Sequence, residues 1–169
     1  MVKPSIDIMF SSLKPVIYIQ ISPELLTLKN LKTGESISEV PELAISTAPK
    51  RKILAVGSQA RLAAASGLAE VLNPFAHPRS LVSDFTVSEQ LIKHQLSRIA
   101  GKSLLAVSPC VIMHPLGSPA GGFTQVERRA FREMAFGAGA SEVFVWTGRV
   151  LTDQEALSRQ APASGGDWE

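Results

Sequence analysis

Residues 124–145, Thr-Gln-Val-Glu-Arg-Arg-Ala-Phe-Arg-Glu-Met-Ala-Phe-Gly-Ala-Gly-Ala-Ser-Glu-Val-Phe-Val, have one natural local structure, a capped helix running into a strand. Thr124 and Glu127 stand at capping-box spacing, in which a hydroxyl and a carboxylate each satisfy a backbone N–H that the helix leaves without a partner. Gly137 and Gly139 offer the left-handed backbone that ends a helix, and residues 142–146 form a short apolar run. A second apolar run at residues 105–113 precedes them, across a loop at residues 114–123. Strand, helix and strand in that order predict a parallel pair joined by a crossover helix, which commits the chain to an α/β layer.

The rest of the chain fits onto that layer. Residues 16–21, 25–31 and 35–45, the last interrupted at Pro41, read as three strands with turns at Ser22-Pro23 and Lys32-Thr33-Gly34. Connections that short predict an antiparallel meander. Residues 53–56 read as a brief strand, 58–65 as a small helix and 73–80, with Pro74 and Pro78, as loop. Thr86 and Glu89 are spaced as a second capping box, and Val87, Leu91, Ile92, Leu96 and Ile99 recur at helical intervals until Gly101. Thr152 and Glu155 predict one more short helix, and the tail from Pro162 is too small and polar to order itself.

Length and charge exclude several function classes. At 169 residues the chain supports one domain with a real core. Seventeen basic residues against fifteen acidic give a net charge of +2, far from the basic field that phosphate-backbone binding needs, so no nucleic-acid partner is expected. The one basic run, Pro-Lys-Arg-Lys at residues 49–52, reads as a solvated turn. The single cysteine, Cys110, excludes an internal disulfide and sits in an apolar run, so it reads as a buried thiol. His77, His94 and His114 lack metal-site spacing, and no serine elbow is present. With no spanning segment and no signal-peptide pattern, the expected location is cytoplasmic.

The segment at residues 124–145 closely resembles one segment of the bacterial actin-like MreB family, and the likeness extends more weakly over most of residues 16–146, through 53–57 and 82–85 with their following helices. It implies a ribonuclease-H-like, actin-like ATPase half-domain: α/β, with a mixed sheet of a three-strand antiparallel meander followed by parallel strands with crossover helices. On that reading residues 15–160 form the domain, residues 47–80 are a small inserted subdomain, residues 161–169 are a disordered tail, and the chain stops where the family's second lobe begins. The family's function is cytoskeletal, in cell shape.

Actin-like ATPases hold phosphate on an Asp-Leu-Gly-Thr turn between the first two strands. Its carboxylate serves hydrated magnesium, and its glycine lets backbone N–H groups reach phosphate. The matching residues here are Tyr18, Ile19, Gln20, Ile21, Ser22 and Pro23, a degenerate phosphate loop. Ile21 resists the left-handed backbone that glycine permits, and Pro23 has no N–H. The second phosphate motif, Asp-x-Gly-Gly-Gly-Thr, is absent from the sequence. Glu127 stands where the family carries a glutamate associated with the hydrolytic water, but its capping role needs nothing further. Arg128, Arg129, Arg132 and Glu133 read as the solvated face of that helix.

These features predict a chain with no catalytic residues, no cofactor and no metal. It would act by protein–protein interaction in cell-shape or cytoskeletal organisation, as a homodimer or bound to another protein such as an MreB-type filament. Val150, Leu151 and Leu157 are its expected interface residues. Two alternatives stand beside that reading: ATP binding completed by another chain, and a peripheral adaptor at the inner face of the cell membrane. The second rests on residues 1–14, where Ile6, Met9, Phe10 and Leu13 fall on one helical stripe suited to weak membrane-surface contact or a partner face.

Overall fold

The computed structural model describes residues 14–78, 80–100, 107–117, 122–160, 162 and 165–169. The stripe of Ile6, Met9, Phe10 and Leu13 lies outside the described residues, as does most of residues 117–122. Among those described, no helix is long and apolar enough to cross a membrane, and no cluster of three histidine, cysteine or acidic residues is placed to hold a metal.

The centre is a six-stranded sheet in the order β3 (Ser36–Glu39), β2 (Leu26–Asn30), β1 (Val16–Ile21), β7 (Cys110–Pro115), β8 (Glu142–Gly148) and β9 (Gly166–Trp168). The first three strands are an antiparallel meander, β1, β7 and β8 run parallel, and β9 returns antiparallel to β8. The expected α/β mixed sheet is therefore present. Alternation along β1 feeds two cores. Ile17, Ile19 and Ile21 face the helices α2 (Phe85–Ile99) and α3 (Gln125–Gly137), while Tyr18 joins Ile112, Trp146, Leu151 and Ala156 of α4 (Asp153–Ser158) on the reverse side. Leu91 and Ile92 of α2 and Phe131 and Met134 of α3 are fully buried, each contributing about 1.5–3 kcal/mol by leaving water.

A second sheet of three antiparallel strands, in the order β5 (Ile53–Val56), β4 (Leu43–Ser46), β6 (Ala69–Leu72), carries the short helix α1 (Ala60–Ala64). Residues 35–45 are thus not one strand. Around Pro41 the chain leaves the large sheet, and Leu43, Ala44 and Ile45 join the small one, so the second sheet starts ahead of residue 47.

Several boundaries differ from the sequence reading. Helix α2 is capped by Asp84, whose carboxylate accepts the Val87 N–H at 3.0 Å, instead of by the Thr86–Glu89 box. Asp84 is two residues nearer the loop and has the extended backbone a cap needs. Only Gly139 takes the left-handed exit after α3, with φ 110°. Gly137 is helical, and a Cβ there would lie 2.2 Å from a Glu89 carboxylate oxygen, so its smallness serves the contact between α2 and α3. The tail is not disordered at its end. Gly166–Trp168 pairs with β8, and Trp168 lies 4.9 Å from the Trp146 ring.

Candidate functional site

The turn after β1 is where the resemblance places phosphate, and its geometry follows from Ser22 and Pro23. The Ser22 N–H donates to the Leu25 carbonyl at 2.9 Å. The Ser22 hydroxyl oxygen accepts the N–H groups of Glu24 at 3.2 Å and Leu25 at 3.0 Å. Pro23 has no N–H, so every backbone donor of residues 22–25 is missing or already engaged within the turn. The turn is also tied down from outside: Asn73 donates its amide to the Pro23 carbonyl at 2.8 Å, and the Leu116 N–H donates to the Ile21 carbonyl at 2.7 Å.

Behind the turn the space is filled. Ile21, Pro23, Phe75, Leu81, Pro115 and Phe131 surround a cavity of about 10 Å³. That is at the lower limit of the roughly 10–15 Å³ one water requires, and apart from Ser22 the side chains around it are apolar. A phosphate binds by several fixed donors acting together, and residues 22–25 leave no backbone N–H without a partner in the turn.

The reverse face of β1 holds a polar network that the sequence did not reveal. Tyr18 and His114, 96 positions apart, stack at 5.8 Å with their planes 11° apart. His114 is not the start of a loop but lies in β7, fully buried, opposite Gln20 in the register. Its Nε2–H donates to the Gly148 carbonyl at 3.0 Å, which leaves Nδ1 to accept the Tyr18 hydroxyl at 2.6 Å. The Tyr18 oxygen in turn accepts the Leu151 N–H at 3.2 Å. Burial pushes the His114 pKa down and the Tyr18 pKa up, so both stay neutral and the chain of bonds is satisfied. The pair fastens the β8–α4 connection to the sheet, and among the described residues its hydrogen bonds run to the Gly148 carbonyl and the Leu151 N–H and not to a carboxylate. Cys110 and Glu127 are accounted for in the same way. Burial, helped by neighbouring Glu142, raises the Cys110 thiol to about 11, so it is inert as a nucleophile. The Glu127 carboxylate accepts the Thr124 N–H at 2.9 Å, completing the expected capping box.

Two groups of residues change role. Leu151, expected at an interface, is 4% exposed and buried by its own chain against Tyr18 and Trp146, whereas Val150 and Leu157 are 56% and 41% exposed. Arg128 is not part of a solvated face. It lies over the Phe123 ring at 5.4 Å and within 3.7 Å of Asp167 and 3.6 Å of Glu169, joining α3 to the β9 segment.

The arrangement, a meander followed by parallel strands with crossover helices, is matched by comparison with known proteins. The model of the MreB/Mbl protein family matches residues 31–152. The chain belongs to the MreB/Mbl family. MreB of Escherichia coli strain K12, a cell shape-determining protein, is 36% identical over 98 residues, covering 56% of this chain and 26% of that protein. MreB of Haemophilus influenzae is 33% identical over 95 residues with the same coverages. The chain thus spans about a quarter of the length of these MreB relatives. Among solved structures, MreB5 of Spiroplasma citri bound to AMPPNP superposes with a TM-score of 0.61 at 20% identity, over 78% of this chain and 38% of that one. A non-polymerising A278D mutant of MamK bound to AMPPNP gives 0.62 at 11% identity, over 78% and 40%. These structures establish the shared actin-like fold.

Proposed function

We propose that this MreB-family chain acts in cell-shape or cytoskeletal organisation by binding other proteins, without binding or hydrolysing ATP at the turn after β1. The observation that carries the reading is the self-satisfied turn of residues 22–25, with Ser22 taking up the N–H groups that a phosphate would need. Its relatives are named for determining cell shape, which supplies the biological setting. Exposed Val150, just before α4, and Leu157, within it, are the apolar side chains we assign to contact with a partner or a second copy.

Isothermal titration of the full chain with magnesium and ATP is the direct test. No saturable heat at millimolar ATP is the expected result, and saturable binding at micromolar ATP would replace this reading with a nucleotide-binding one. For the interface, Leu157→Glu is expected to lower recovery of bound protein or self-association in sedimentation while leaving the folded spectrum unchanged. Unchanged association would remove Val150 and Leu157 from the contact.

A further inference from the structure

A groove of about 460 Å³ lies between the start of β5 and the first turns of α2. Its deepest side chains are apolar: Ile45 and Val87 are each 7% exposed, and Ile53 lies beside them. One rim carries Arg51 and Lys52 from the basic run, and the other carries Thr86 and Gln90. Among the described residues Lys50 and Lys52 have no ion-pair partner, while Arg51 pairs with Glu70. The Thr86 and Gln90 side chains have no hydrogen-bond partner there either. Asp84, at the same end, is engaged as the cap of α2.

Strand β5 adds a second kind of vacancy. It is outermost in its sheet, with β4 on one side and no described strand on the other, and Ile53 and Leu54 are 37% and 50% exposed. An outer strand presents unpaired N–H and C=O groups that accept another strand, and side chains of the added strand fall alternately toward and away from the adjoining pocket. We propose that the outer edge of β5 and this groove form a docking site for an extended, acidic segment of a partner protein. The segment pairs with β5 as an added strand and sets an apolar side chain over Ile45, Ile53 and Val87.

Charge decides between occupants. A second copy paired antiparallel along β5 would lay residues 50–52 beside residues 57–59, Gly-Ser-Gln, which offer those cations no carboxylate. Carboxylates on a partner meet those cations favourably, and Thr86 and Gln90 can bond the partner's backbone on the opposite rim. The site deepens the protein-binding reading and rests on it, naming one surface and the chemistry of what it takes.

The test is an amide NMR titration of the full chain with a short blocked peptide alternating glutamate with valine, and with its lysine-for-glutamate counterpart. Saturable shifts confined to β5 and the first turns of α2 are expected for the acidic peptide only. Lys52→Glu should weaken that binding at least tenfold, and Gln90→Ala a few-fold, with the thermal midpoint of both variants near that of the parent chain. No saturation by the acidic peptide, equal binding of the basic one, or shifts elsewhere would overturn the site. Concentration-dependent shifts at β5 without peptide would assign the edge to a second copy and overturn the acidic partner. ATP titration is unaffected by these outcomes, so failure of the groove and failure of the non-nucleotide reading are separately visible.

Discussion

The turn after β1 and the groove beside β5 are both open to solvent where a sheet ends, and they are built oppositely. At the turn, Ser22 takes up the neighbouring N–H groups, Pro23 removes another, and about 10 Å³ of space remains. At the groove, about 460 Å³ is open, two lysines lack ion pairs, and a strand edge is unpaired among the described residues. Polar groups left over after folding are what a ligand can use, and among the described residues they lie beside the small sheet and not on the backbone of residues 22–25.

The largest perturbation attacks the closed side. Phe131, fully buried in α3, fills the space behind the turn, and Phe131→Ala should cost about 3–5 kcal/mol in urea denaturation. ATP should still not bind, because the added volume brings no donors. If the enlarged cavity did confer ATP binding, bulk and not donor chemistry would be what closes the turn.

A finer change frees donors without making room. Ser22→Ala removes the acceptor for the Glu24 and Leu25 N–H groups and should cost about 0.5–1.5 kcal/mol, measured as a lower denaturation midpoint with an unchanged slope. These groups then exchange faster with solvent deuterium. Unchanged exchange at both residues would mean that the serine is not what engages them.

The smallest expected effect is a pH slope from the network behind β1. His114 has its folded pKa below the ordinary 6.5, because burial disfavours its charged form. Below about 6.5 the unfolded chain takes up the proton first, so this contribution to stability is full above that pH and is lost as pH falls through the folded value. Glu155, held down to about 2 chiefly by the Arg149 guanidinium, stays charged across that window and adds no slope there. Stability should therefore decline between pH 7 and 5, and His114→Gln should flatten the decline while lowering stability at pH 7. An equal slope in the variant would locate the titration elsewhere.

How much of this could be read from the sequence depends on how local the cause is. The turn at Ser22-Pro23 was legible because proline and a β-branched residue constrain their own backbone. The caps at Thr124 and Thr152 were legible from a three-residue spacing. The Tyr18–His114 pair was not, since β7 has to lie beside β1 in register before the two rings meet. Strand β9 was missed because Gly-Asp-Trp has no strand preference of its own. It is held by pairing with β8 and by close packing, with Gly166 so near the Trp146 ring that a Cβ would lie 2.1 Å from it. The groove was hidden for a similar reason. Residues 49–52 look like a solvated turn until α2 is placed opposite them.

An amide NMR titration with magnesium and ATP, following Ser22, Glu24 and Leu25 in the uniformly labelled full chain, measures the central claim most directly. These three signals are expected to stay where they are at millimolar ATP. Saturable shifts at them, with protection of their N–H groups by the nucleotide, would contradict it.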